Sequence, residues 1–258
     1  MNSKHGHGEG SSPVLANGKI VVNWDHEGQS FIEAFDAETG ESVWRKDRTE
    51  VTSWSSPIVV LVGEQSQLLV PGTDRMRAYD LANGSVVWEC GGLSANIVAS
   101  PVAYDGMVFV GSSYEKRAML AIKLEGAAGD ITDSENVIWK RTELTPYVPS
   151  PLIHDGNIYF LRHYQGVISR LDAKTGKDNP GPFRLRGVGN IYASPVAAAG
   201  KVYISSLEGV TVVLDGGEVP RIISINELDD QFNASAALVG DELFLRGRKW
   251  LYCISEAD

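Results

Sequence analysis

The side chains best suited to chemistry are few and scattered. His26 stands between Asp25 and Glu27, a triplet that could ligate a metal or act as a base, although a solvated loop is its ordinary reading. His163, between Arg162 and Tyr164, has the same two readings. His5 and His7 alternate with glycine in a weak metal-binding pattern. Cys90 and Cys253, the two cysteines, are too few for a four-thiolate zinc site or a disulfide framework. Cys253 reads as a buried small hydrophobe. No Gly-rich phosphate loop, His-Glu-x-x-His pair or Gly-x-Ser-x-Gly elbow is present. A second collection is aromatic and cationic: Trp24, Trp54, Arg75, Tyr114, Tyr147, Arg162, Tyr164, Tyr192 and Arg248. Such residue types dominate binding hot spots.

Composition narrows the partners. The 258 residues carry 23 Lys and Arg against 33 Asp and Glu, a net charge of −10. A nucleic-acid groove needs a basic stripe, and docking on anionic lipid needs a basic patch, so both are disfavoured. No apolar run reaches the roughly 18 residues that a spanning helix needs, so membrane insertion is not expected. The first residues lack the apolar stretch of a signal peptide.

A repeat positions all of these residues. A Ser-Pro pair followed by apolar residues recurs at Ser12-Pro13, Ser56-Pro57, Ser100-Pro101, Ser150-Pro151 and Ser194-Pro195, with a degenerate copy at Ser235-Ala236. The serines are spaced by 44, 44, 50, 44 and 41 residues. After each comes a short strand, then a tight turn such as Asn17-Gly18, Asp105-Gly106 or Asp155-Gly156. A β-branched or aromatic strand follows, then a polar loop, a third strand, an Asp-x-x-x-Gly turn and a fourth strand. Four strands in a period of roughly 40–45 residues are the signature of a β-propeller blade. A β-sandwich is the rival, but it does not require the same strand opening and the same turn in every fourth strand.

The motif from Ala34 through Asp36, Thr39 and Gly40 to Trp44 resembles the tryptophan-docking motif of the PQQ-like β-propeller repeats, the quinoprotein alcohol dehydrogenase-like superfamily. The copy Ala78, Asp80, Gly84, Trp88 matches it apart from Asn83 in the Thr place. A third copy has an insertion ahead of Trp139; a fourth keeps Asp172 and Gly176 but has Arg170 in the Ala place and no Trp. The resemblance implies structural work for these residues: Gly for the turn, Asp for backbone bonds within it, Trp flat between adjacent blades. It implies an all-β propeller built from blades at about 11–54, 55–98, 99–148, 149–192 and 193–233, a partial blade at 234–258, and a flexible segment at 1–10. Relatives usually carry more blades and a signal sequence, so a chain lacking N-terminal blades is expected, with a six-bladed ring as the alternative.

In a propeller, the loops joining second to third strands and those joining blade to blade share one face. The first set holds Trp24, Asp25, His26, Arg75, Tyr114, Arg162, His163, Tyr164 and Arg248. The second holds Trp54, Tyr147 and Tyr192. The expectation is a non-catalytic scaffold that binds a protein, peptide or glycan partner through this face. The resemblance implies a bacterial member of the non-enzymatic kind, a group that includes the lipoprotein of the outer-membrane β-barrel assembly machinery, and hence a periplasmic or extracytoplasmic location. No cofactor is expected. The alternative is an oxidoreductase using PQQ and calcium, whose family members usually carry an adjacent Cys-Cys pair that this chain lacks.

Overall fold

The computed structural model describes residues 6–161 and 166–255, and every regular element among them is a strand. Contacts divide the chain into two compact units, Met1–Tyr147 and Val148–Asp258.

The first unit holds three antiparallel sheets in sequential strand order. Blade 1 is β1 (Val14–Ala16), β2 (Lys19–Trp24), β3 (Ser30–Asp36) and β4 (Ser42–Arg48). Blade 2 is β5 (Ile58–Val62), β6 (Gln65–Gly72), β7 (Arg75–Asp80) and β8 (Val86–Gly91). Blade 3 is β9 (Val102–Tyr104), β10 (Met107–Ser112), β11 (Ala118–Lys123) and β13 (Val137–Arg141). The insertion ahead of Trp139 supplies β12 (Gly129–Asp130), which pairs in parallel with β8 and gives blade 2 a fifth strand.

The second unit holds three more sheets. Blade 4 is β14 (Leu152–His154), β15 (Asn157–Leu161), β16 (Val167–Asp172) and β17 (Phe183–Arg184). Blade 5 is β18 (Val196–Ala198), β19 (Lys201–Ser205), β20 (Val210–Asp215) and β21 (Arg221–Glu227). Blade 6 has three strands among the described residues, β22 (Ala237–Val239), β23 (Glu242–Arg246) and β24 (Leu251–Ile254).

Local chemistry accounts for the turns. In the turn between β3 and β4, Asp36 Oδ1 accepts the N–H of Glu38 at 3.0 Å and of Thr39 at 2.8 Å. Gly40 closes the turn at φ +74°, where a Cβ would be strained. The backbone N–H of Thr39, with that of Glu38, holds the Asp36 carboxyl below the usual carboxylate range. Asp172 and Thr175 repeat the arrangement in blade 4.

The Ser-Pro openings stitch consecutive blades together. The N–H of Ser12 donates to Ser56 Oγ, and that of Ser56 to Ser100 Oγ, both at 2.9 Å. In the second unit, Ser150 donates to Ser194 and Ser194 to Ser235, again at 2.9 Å. The hydroxyls of Ser56, Ser100, Ser194 and Ser235 therefore satisfy the backbone of the blade before them. Ser235 retains this role although the following Pro is lost.

The cores lie between sheets. Val21, Ile32, Ala34 and Trp44 of blade 1 pack with Leu68, Val70, Tyr79 and Leu81 of blade 2. Trp88 joins Leu69 and Ala78 of blade 2 to Val108, Val110 and Ile122 of blade 3. In the second unit, Tyr159 and Ile168 of blade 4 pack with Val202, Ile204 and Val212 of blade 5. Trp44 lies in the middle of β4, opposite Ala34, just before a bulge. Trp88 faces Ala78 and Trp139 faces Ala121 in the same way, each beside a bulge. The Trp44 indole N–H donates to the Leu81 carbonyl at 3.0 Å. A Cβ on Gly84 would come within 2.6 Å of that ring, so the glycine of one blade's turn is also the seat for the preceding blade's tryptophan.

This double duty separates two glycines of the same motif. Gly40→Ala should cost about 1–2 kcal/mol from backbone strain alone, because nothing stands within 4 Å of its Cβ position. Gly84→Ala should cost about 1–3 kcal/mol more from collision with Trp44. Trp44→Ala should cost about 3–5 kcal/mol. Urea unfolding of the three variants checks this order; equal costs for the two glycines would contradict it.

Candidate functional site

The loops between second and third strands interlock with the loops between blades. Ser30 Oγ donates to the Glu50 carbonyl at 2.9 Å, and Thr52 Oγ1 donates to Glu27 Oε1 at 2.8 Å. The N–H of Val51 donates to Thr73 Oγ1 at 3.1 Å, and that of Trp54 to the Ile97 carbonyl at 2.8 Å. Ser113 Oγ reaches the Thr145 and Pro146 carbonyls. The two loop sets thus meet on one face within the first unit.

At the centre of this face is a buried charge network. Arg48, at the end of β4, forms a bidentate pair with Asp25: Nε to Oδ1 at 2.8 Å and Nη2 to Oδ2 at 3.0 Å. Ser53 and Asn23 also donate to Asp25 Oδ2, at 2.8 and 3.2 Å. Arg48 Nη1 donates to the Tyr79 hydroxyl at 2.6 Å. Glu50 accepts from Arg77 and from the Thr73 N–H, and Arg77 continues to Glu89 at 3.2 Å. Burial opposes the Arg48 charge, but Asp25 chiefly, then Tyr79 and Glu50, hold the guanidinium more firmly protonated than usual. Burial raises the Tyr79 hydroxyl despite Arg48 beside it.

The sequence candidates divide on this geometry. Asp25 was expected to face a partner; it is 1% exposed and its carboxylate is engaged by Arg48, Ser53 and Asn23, so it works inside the fold. His26 has both ring nitrogens engaged, Nδ1 accepting from the Gly28 N–H at 3.2 Å and Nε2 at 3.1 Å from the Gln29 carbonyl. Arg75 pairs with Glu89 and stands 4.0 Å from Asp130 on the inserted β12. Trp24 stacks on Phe31 with centroids 6.1 Å apart, and the Arg45 guanidinium lies 3.5 Å from the Phe31 centroid. Trp54 is covered by the segment expected to be flexible: its indole N–H donates to the Gly8 carbonyl at 2.8 Å, and the His7 ring stands edge-on at 6.1 Å. Tyr114 and Tyr192 are exposed, and Tyr147 is half-buried. Arg248 lines an open groove of about 510 Å³ with Glu208, Asp229 and Lys249. Arg162, His163 and Tyr164 lie outside the described residues.

Two cysteine readings can be compared with the structure. Cys90 is buried in β8, and burial pushes its thiol up to about 11. Cys253, expected to be buried, is exposed, because β24 is the edge strand of its sheet.

A profile described as outer membrane protein assembly factor BamB matches residues 28–258. The chain belongs to this family of PQQ-like β-propeller repeats. Among solved structures it is similar to BamB from Moraxella catarrhalis, at 14% identity and a TM-score of 0.54, covering 94% of this chain and 95% of that one. It is similar to the computationally designed Ika8 protein, at 12% identity and a TM-score of 0.69, covering 95% and 70%. It is also similar to the quinohemoprotein alcohol dehydrogenase of Comamonas testosteroni, at 16% identity and a TM-score of 0.62, covering 86% and 43%. These likenesses show the β-propeller fold. A curated relative, the serine/threonine-protein kinase AfsK of Streptomyces griseus, is 28% identical over 196 residues, 68% of this chain. The match spans 21% of that kinase.

Calcium needs several convergent oxygen ligands. Among the described residues no three of His, Cys, Asp and Glu converge to hold a metal ion, and the Asp25 carboxylate is already bound by a guanidinium.

Sequence reasoning missed Arg48, Glu50, Arg77 and Tyr79, which sit at ordinary strand and loop positions with no repeated counterpart. It also missed Asp230 in the second unit. That carboxylate accepts from the N–H groups of Lys249, Trp250 and Gln231 and from the Tyr252 hydroxyl, tying the loop before blade 6 to the turn between β23 and β24. Burial opposes its charge, but these donors bring its pKa down from 3.8 to about 2. Asp230 therefore stabilises the folded state above its ordinary value, and that contribution is lost as the pH falls through about 2. Hydrogen exchange of the Lys249 and Trp250 amides should lose protection over this window, and Asp230→Asn should lack the step. In the first unit, Asp25→Ala leaves a buried guanidinium without its main partner and should cost about 3–5 kcal/mol in urea unfolding.

Proposed function

We propose that this chain is a non-catalytic scaffold that binds protein or peptide partners, or a glycan, through its loop face in the bacterial cell envelope. One observation carries the reading: the buried acidic and basic groups of the first unit's loop face are bonded to one another. Asp25 holds Arg48, Glu50 holds Arg77, and both His26 ring nitrogens are engaged by its own loop. Tyr114 and Tyr192 are exposed on separate units, beside charged loop residues such as Glu115 and Lys116 in the first. Tyrosine supplies large contact area with few rotatable bonds, which suits recognition rather than turnover. The family's description as an outer membrane assembly factor supports an envelope location and a protein partner.

The kinase match favours a second reading, in which the repeat array is the sensing module of a longer chain. Both readings are non-catalytic for the array itself.

The test is photo-crosslinking in the native host with the reactive residue at Tyr114 or Tyr192, combined with cell fractionation. Discrete protein adducts in the envelope fraction are expected. A cytosolic protein with no adducts would overturn the proposal. So would PQQ with calcium raising the melting temperature, since a ligand that binds only the folded state at about 100 times its Kd adds about 2.7 kcal/mol.

A further inference from the structure

The fourth strands of the blades guard their outer edges in different ways. A sheet edge offers unpaired N–H and C=O groups, and proteins block it with charge, with shortness or with a covering strand. β4 carries Arg45, Lys46 and Asp47, all exposed. β13 ends in Lys140 and Arg141. β17 is two residues long. β8 has β12 laid against Trp88 and Glu89. β21 has none of these devices. It runs for seven residues, Arg221–Glu227, with one strand neighbour, β20, among the described residues. Its charges stand at its two ends, and the residues between them, Ile222 to Asn226, carry none.

The strand register makes this edge the continuation of a core. Ile204, Val212 and Ile225 form one row across β19, β20 and β21, and Val202, Leu214 and Ile222 form the next. The first two members of each row are buried in the cluster that joins blade 5 to blade 4. The last members are not: Ile225 is 52% exposed and Ile222 38%. Ile223, skipped by the pairing at the bulge, is 50% exposed. In blades 1, 2 and 3 the residue after the tryptophan is charged, as Arg45, Glu89 and Lys140. Ile225 holds that place in blade 5, since Ser224 faces Val213 beside its bulge as Trp44 faces Ala34.

We propose that β21 pairs antiparallel with the β21 of a second copy of this chain, about a two-fold axis near Ser224. The strand's own sequence selects this occupant. In that register Arg221 of each copy stands opposite Glu227 of the other, and Ile223 opposite Ile225. A two-fold interface uses the same patch twice, so the strand must complement its own reverse. β21 does so, with a cation at one end, an anion at the other and isoleucine between. Both charges are accessible: the Arg221 side chain is 76% exposed, with Asp215 at 3.5 Å, and Glu227 is exposed. Parallel pairing in register would set Arg221 against Arg221, and like charges directly opposite are destabilising. On a chain of net charge −10, a strand whose two charges cancel suits its own copy better than a basic partner.

Sedimentation equilibrium of the full chain tests this. A reversible monomer–dimer equilibrium that stops at two is expected, because the two-fold contact consumes the edge of both copies. Ile223→Lys with Ile225→Lys gives β21 the kind of charge that β4 and β13 already carry. It should weaken dimerisation at least about tenfold, the equivalent of 1.4 kcal/mol. Arg221→Glu alone and Glu227→Arg alone should each weaken it by setting like charges at both ends of the pair, and the double swap should restore it. This exchange at exposed positions decides the matter if the lysine variant fails to fold. A chain that stays monomeric up to about 1 mM overturns the proposal. So does association that grows beyond two, a dimer indifferent to the lysines, or a double swap that restores nothing. Crosslinking at Tyr114 and Tyr192 reads other surfaces, so the scaffold reading stands or falls separately.

Discussion

Each sheet in this chain has a face that it cannot bury by itself, and the neighbouring blade supplies the cover. The contact between Trp44 and the next blade's turn expresses that constraint most directly. The indole spans from Ala34 in its own sheet to the Leu81 carbonyl and the bare Cα of Gly84 in the next. One contact thus links a strand position, a turn conformation and a blade junction. The serine relay adds a second link at the first strands, where the Ser12 N–H finds the Ser56 hydroxyl and the Ser56 N–H finds that of Ser100. A repeat protein is stable as a sum of such neighbour interfaces, so conservation of the unit and conservation of the junction are the same requirement.

The departures from the repeat are as informative as its copies. Where the insertion precedes Trp139, the extra residues do not hang free; β12 pairs with β8 and extends the sheet of blade 2. Where blade 4 has Arg170 in place of Ala, the guanidinium reaches the following turn and does part of the work of the missing indole. Where blade 5 has Ser224 opposite Val213, the hydroxyl accepts from Asn226 Nδ2 of its own strand at 2.6 Å. The Arg170 guanidinium both lies by the Tyr159 ring and donates to the Glu218 carbonyl, so one side chain contacts its own sheet and the next turn.

The charged network of the first unit follows a different logic. Asp25, Arg48, Glu50 and Arg77 belong to blades 1 and 2 and are joined by ion pairs. A buried ion pair is a poor source of net stability, because desolvation offsets most of its Coulomb energy. It does fix geometry, since each carboxylate left alone would be costly. The network pins two loops and two blades in one register, and in doing so it withdraws those groups from chemistry.

The sequence by itself determined the all-β class, the four-stranded repeat, the turn chemistry of Asp36 and Gly40 and the placement of Trp44 and Trp88. These depend on local conformational preference and on a period repeated often enough to be counted. Only the tertiary structure decided that Asp25 is buried, that Trp54 lies beneath residues of the chain's own N-terminal segment, that Cys253 is exposed on an edge strand and that Asp230 fastens blade 6. The reason is physical. A side chain's exposure and its partner depend on residues distant in the sequence, here 23 positions away for Asp25 and Arg48 and 46 for Trp54 and Gly8, and no local pattern encodes which distant group will arrive.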